Sequence, residues 1–79
     1  MFTLRLSARQ NPDFPPRQDL PRARTVPVAS LEDASALCRA FIAEHDLGGG
    51  NWSGGLVRDT ATGVVVARVS YNGRVWPPG

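Results

Sequence analysis

Residues 30–50 read SLEDASALCRAFIAEHDLGGG, and this stretch decides the fold. Ser30 is a residue type that accepts a free backbone N–H at a helix start, and Asp33 three positions on makes a capping box with Asp in place of Glu. Glu32 and Asp33 also complement the positive end of the helix dipole. Ala34, Leu37, Cys38, Phe41 and Ile42 then recur at three- and four-residue spacing, which gives one apolar face. The run Gly48-Gly49-Gly50 stops the pattern, with Gly48 as a left-handed C-cap. The spacing predicts a helix over 31–46, inside a helical segment 30–47. A lone amphipathic helix must bury its stripe against a partner layer, and the flanking sequence supplies strands.

Upstream, Met1–Ser7 alternates Phe2, Leu4 and Leu6 with Thr3, Arg5 and Ser7, the period of a half-buried strand within residues 1–8. Residues 10–29 carry Pro12, Pro15, Pro16, Pro21 and Pro27, which remove backbone donors and forbid helix. This is an extended Pro-rich segment, with Phe14 and Leu20 as the side chains able to pin it to the body. Thr25, Val26 and Val28 suit a brief edge strand, where alone Pro27 is tolerated.

Downstream, residues 54–76 read as a β-meander. Leu56-Val57-Arg58 leads into Asp59-Thr60-Ala61-Thr62-Gly63, a tight hairpin loop with Gly63 at the left-handed bulge position. Val64–Ser70 is the longest strand candidate, and Asn72-Gly73 signals a two-residue type I′ turn. That turn sets Tyr71 opposite Arg74 and Val69 opposite Trp76. One hairpin face then carries Val65, Ala67, Val69, Tyr71, Arg74 and Trp76, with Trp76 largely in the core and the Tyr71–Arg74 tip in solvent. The other carries Val64, Val66, Arg68, Ser70 and Val75. The expected architecture is α+β: one amphipathic helix packed on a small antiparallel sheet, in the order β-α-β-β-β, as a single domain over 1–79. The sheet face away from the helix has no second layer, so it is either wet or covered by a partner.

Length and charge narrow the function. A chain of 79 residues has a thin core, which argues against a self-contained enzyme with a deep, dry pocket. No apolar run is long enough to span a membrane. Arg5 and Arg9 interrupt the apolar stretch a signal peptide needs, which predicts a cytosolic protein. All nine basic residues are arginine, the side chain suited to bidentate carboxylate and phosphate recognition, although a GC-rich genome produces the same bias. The net charge of +2 divides unevenly: residues 1–30 carry +3, residues 31–46 carry −3, and the remainder carries +2. An acidic helix therefore sits between two basic segments.

Sites for chemistry are sparse. Cys38 cannot form an internal disulfide, and with His45 it lies about 10 Å apart along the helix axis, too far to share a metal ion. Cys38 reads as a small core residue and His45 as a partner of the helix C-terminus. The run Gly48–Gly55 follows a helix and precedes a strand, the reverse of a phosphate loop, and reads as a flexible connector. Glu32 with Asp33, and Glu44 with Asp46, are solvated helix-end carboxylates before they are acid–base pairs. Neither catalysis, a cofactor nor a metal is expected. Trp52 either plugs the end of the core or stands exposed as a binding anchor. Arg5, Arg58 and Arg68 fall on the sheet face away from the helix, with Arg74 at the hairpin tip. That set is either a solvated face or a binding surface, since Arg, Tyr and Trp are the enriched hot-spot types.

The C-terminal run Val64-Val-Val-Ala-Arg-Val-Ser-Tyr-Asn-Gly-Arg-Val-Trp76 resembles the end-of-chain hairpins of small proteins encoded by phages and mobile elements. The whole plan, one helix on an antiparallel sheet, resembles the anti-CRISPR proteins that inhibit type I CRISPR-Cas surveillance complexes. The resemblance implies a stoichiometric, non-enzymatic inhibitor in the host bacterial cytosol. Such a protein binds a subunit of a Cascade-type complex and blocks target DNA binding. Many such proteins mimic DNA with acidic surfaces; this chain is net basic, so the expected mode is direct protein–protein contact. The expected contact residues are Arg68, Tyr71 and Arg74, then Trp52 and Arg58, on a monomer or weak dimer. The alternative is a small nucleic-acid-binding accessory protein that turns the same arginines toward phosphates.

Overall fold

The computed structural model describes residues 1–78. Its elements are β1 (Phe2–Leu6), β2 (Arg24–Val28), α1 (Leu31–Glu44), β3 (Leu56–Asp59), β4 (Val65–Val69) and β5 (Val75–Trp76). The strands form one antiparallel sheet in the order β2-β1-β3-β4-β5, with α1 packed on one face. This is the small α+β fold expected, with the brief edge strand realised as β2, paired to β1 along its length. Pro27 sits there without a missing ladder bond because β2 lies at the edge.

Alternation in β1 puts Leu4 and Leu6 under the helix, where both are essentially fully buried. Val28, Val57, Ala67 and Val69 complete the sheet side of the core, and Ala34, Cys38, Phe41 and Ile42 the helix side. Leu37 does not join them: it is 40% exposed. At about 100° per residue it lies on the rim of the stripe centred between Cys38 and Phe41.

Ser30 caps α1 as its sequence predicts, its Oγ accepting from the Asp33 N–H at 3.1 Å. The other end differs from expectation. Helix α1 stops at Glu44, two residues short of the predicted end, and the left-handed residue is Asp46, at φ +50°, not Gly48. Leu47 N–H donates to the Ile42 carbonyl at 3.0 Å and Asp46 N–H to the Ala43 carbonyl at 3.3 Å, a Schellman closure. Leu47, buried, supplies the apolar contact that accompanies that motif. Asp tolerates the left-handed region better than most non-glycine residues.

The Pro-rich segment is fastened differently from the sequence reading. Leu20 packs on the core, but Phe14 is 67% exposed. The fastening comes from Arg17, whose guanidinium donates to the carbonyls of Asp46 at 2.8 Å and His45 at 2.9 Å, the free acceptors at the end of α1. Asp19 orients it through a two-pronged contact at 3.0 and 3.2 Å, which raises the Arg17 pKa and lowers that of Asp19. Gln10 holds the same residue by both backbone groups.

Residues Gly48–Gly55 are not a loose connector. Asn51, buried, bridges the Gly48 N–H and the Arg9 carbonyl, while Arg9 N–H donates to the Asn51 carbonyl. Trp52 pairs with Ala8, and the Ser7 and Ser53 hydroxyls meet at 2.9 Å. The segment is a tight seam along the end of β1.

Candidate functional site

Two irregularities decide which side chains reach the uncovered sheet face. The first is the last hairpin. Ser70 N–H donates to the Arg74 carbonyl and Gly73 N–H to the Ser70 carbonyl, both at 2.9 Å. The connection is therefore a three-residue loop, Tyr71-Asn72-Gly73, with only Gly73 in the left-handed region at φ +87°. The expected type I′ turn requires positive φ at Asn72 as well, and Asn72 does not adopt it. The register moves by one: Val69 faces Val75 and Arg68 faces Trp76. Trp76, expected in the core, is 44% exposed on the side away from α1.

The second irregularity lies in β4. Val57 pairs with Ala67 but Arg58 pairs with Val65, so Val66 is an extra residue, a β-bulge. It turns Val66 toward the core and Val65 outward, the reverse of the strict alternation read from the sequence.

The result is a one-sided surface. Register places Thr25 beside Arg5, and Leu56, Arg68 and Trp76 in a row; Arg5 and Leu56 line one groove, and Thr3, Arg58 and Val65 form the next row. Arg74 joins from β5's end, its guanidinium carbon 4.1 Å from the centre of the Trp76 ring. Two shallow grooves of about 500 and 320 Å³ meet at Leu56. Among the described residues the ion pairs are Arg17–Asp19 and the contact of His45 with Glu44, so no carboxylate neutralises Arg5, Arg58, Arg68 or Arg74. Arg58 is steadied by donating to the Gly63 carbonyl at 3.0 Å. Gly63 is left-handed, as its place in the sequence predicts.

The structure thus brings Arg58, Arg68 and Arg74 together with Arg5 and separates the aromatic residues expected beside them. Tyr71 leans to the other side: its hydroxyl donates to the Leu47 carbonyl at 3.1 Å, and its own carbonyl accepts from Arg39 at 2.8 Å. It lines a separate cleft of about 550 Å³ with Phe14, Pro15 and Asn11. Trp52 is a core plug and no exposed anchor. It is 8% exposed, packs 6.0 Å from Phe41, and donates its Nε1–H to the Val69 carbonyl at 3.1 Å. Trp76, Leu56 and Val65 take the surface places that Tyr71 and Trp52 were expected to fill. The alternation Leu56–Arg58 already put Leu56 on the open face; Trp76 and Val65 depend on the loop and the bulge.

Cys38 has no accessible surface, and desolvation pushes its thiol up to about 12. A thiol raised in this way stabilises the fold fully below its unfolded value and loses that contribution as pH rises toward the folded one. Thermal melts are therefore expected to fall between pH 9 and pH 12, and to fall less in Cys38→Ala. The thiol should react with a disulfide reagent only in denaturant; fast labelling of the native chain contradicts this placement. Among the described residues no cluster of His, Cys, Asp and Glu could hold a metal ion, and no helix is long and apolar enough to cross a membrane.

Compared with protein-family models, with curated proteins and with solved structures, the chain matches none.

Proposed function

We propose that this chain is a non-enzymatic binding protein that works by contact with a larger protein partner, and that the uncovered sheet face is its contact surface. The observation that supports this reading is the composition of that face. Arg5, Arg58, Arg68 and Arg74 surround Leu56, Val65 and Trp76, with no acidic neutraliser among the described residues. An apolar centre with arginine and tryptophan is the make-up of a protein-binding hot spot, and unpaired arginines favour an acidic partner surface. The partner class we propose is a type I CRISPR-Cas surveillance complex, with the chain as a stoichiometric inhibitor that denies it target DNA. The small size and single helix on an antiparallel sheet are in keeping with such inhibitors, and the basic face favours steric occlusion over DNA mimicry.

A purified crRNA-guided type I complex, offered target duplex with and without this protein beside a free-DNA control, tests the reading. The complex should retain the protein and lose the duplex, with free DNA unshifted. Arg68→Glu should weaken retention by about tenfold or more, because it sets a carboxylate against an acidic partner at the centre of the row. A complex left untouched, with free nucleic acid shifted at low salt and released steeply as salt rises, assigns the arginines to phosphates instead.

A further inference from the structure

We infer that the element docking on the open face is an acidic amphipathic helix of the partner, laid across the strands along the row Arg5–Leu56–Arg68–Trp76. This rests on the reading that the open face is a protein-contact surface. Pairing sets most of the row: Leu56 faces Arg68 and Arg68 faces Trp76, while Arg5, one residue past the last β1–β3 pair, lines the same groove as Leu56.

Adjacent strands lie about 4.8 Å apart, so Leu56, Arg68 and Trp76 stand about 4.8, 9.6 and 14.4 Å from Arg5 along the row. On a helix, residues i+3, i+7 and i+10 stand about 4.5, 10.5 and 15 Å from residue i along the axis, and all lie on one stripe. A helix with acid, apolar, acid and apolar residues at i, i+3, i+7 and i+10 therefore meets Arg5, Leu56, Arg68 and Trp76 in turn. A second helix on the bare face also completes a helix–sheet–helix layering, a stable way to cover a sheet.

Other modes of docking fit the surface less well. Strand addition needs a free edge, but β2 carries Pro27 and β5 is two residues long before Pro77-Pro78. Single-stranded nucleic acid binds through successive stacking platforms. The open face offers one aromatic ring, Trp76, and Arg74 already covers one side of it. The charge argues in the same direction, since among the described residues the arginines of the row have no carboxylate of their own to release.

The test uses the intact chain and three probes. The first is a helical peptide of about 20 residues carrying Glu, Leu, Glu and Leu at i, i+3, i+7 and i+10 on an Ala/Gln background. The second is a scramble of identical composition, and the third is oligo-dT. Binding is read from tryptophan emission, with Trp76→Phe to assign the signal. The patterned peptide should bind about tenfold more tightly than the scramble. Arg5→Ala and Arg68→Ala should each weaken it by about tenfold, with melting temperatures unchanged, while Arg22→Ala has no effect. Equal binding of patterned and scrambled peptides overturns the helical register but leaves an acidic protein partner standing. Binding of oligo-dT with neither peptide overturns this inference and the protein-contact reading together. Self-association that rises with concentration and is lost in Arg68→Ala assigns the face to a second copy, and also overturns it.

Discussion

Trp52→Ala should be the most damaging single truncation in the chain, at about 3–5 kcal/mol, the usual range for emptying a large buried aromatic site. A chain of this size has a total stability of roughly 4–12 kcal/mol, so this one change removes a large share of it. The ring is 8% exposed at the end of the core, beside Phe41. The seam around it cannot collapse into the void. Asn51 is bonded to Gly48 and Arg9, and Ser53 to Ser7, on either side. Trp52→Phe separates two contributions. It keeps much of the apolar volume but leaves the Val69 carbonyl without the indole donor, at a cost of about 1–3 kcal/mol. Urea titrations of the two variants measure both. A loss below about 1 kcal/mol for Trp52→Ala contradicts the plug.

Gly55→Ala should come close to it, at about 3 kcal/mol or more, although it adds only a methyl group. Gly55 adopts φ +102°, which side chains rarely take. A Cβ there also runs into the Val69 carbonyl oxygen, which is backbone and cannot swing aside. The same glycine donates to the Arg5 carbonyl and accepts from the Val69 N–H, both at 2.8 Å, so β1 and β4 are joined through it. Relief of the clash breaks one of these bonds. Gly63→Ala is the control: its φ is +74°, but nothing stands within 4 Å of a new Cβ. It should pay the conformational cost alone, about 1 kcal/mol. Equal losses at the two positions contradict the account given for Gly55.

Most of the fold was legible because its signals are local. Ser30, the buried helix stripe and the alternation in β1 each depend on residues within a few positions of one another. The edge strand was legible too, because Pro27 restricts where a strand may lie. What escaped were contacts made at long range or by one residue's conformation. Arg17 closes the end of α1 from nearly thirty residues away, and no spacing rule connects it to His45 and Asp46. Of the two apolar pins expected, Leu20 packs on the core and Phe14 does not, and a charged side chain supplies the rest of the fastening. The arginine face was read correctly for Arg5, Arg58 and Arg68 from period two. Trp76 was misplaced because Asn-Gly suits a left-handed pair, whereas here only Gly73 takes that conformation and Tyr71 is drawn into the loop. Tyr71 in turn is held by Leu47, a bond that moves it off the arginine side.

The three-residue loop has a consequence for how such a protein could be retooled. Strand faces alternate, so removal of one residue between Ser70 and Arg74 swaps the two sides of everything that follows. Val75 would turn to the open face and Trp76 toward the helix side, with no change to the amino acids of either strand. Arg74 would move with Trp76, because residues two apart share a strand face. A single codon gained or lost in the tip therefore exchanges the side chains shown on the open face, at the cost of the contacts that Ser35 and Arg39 make with the Gly73 and Tyr71 carbonyls. On the proposed contact reading, indels at this tip offer a shorter route to a new specificity than substitutions within the sheet.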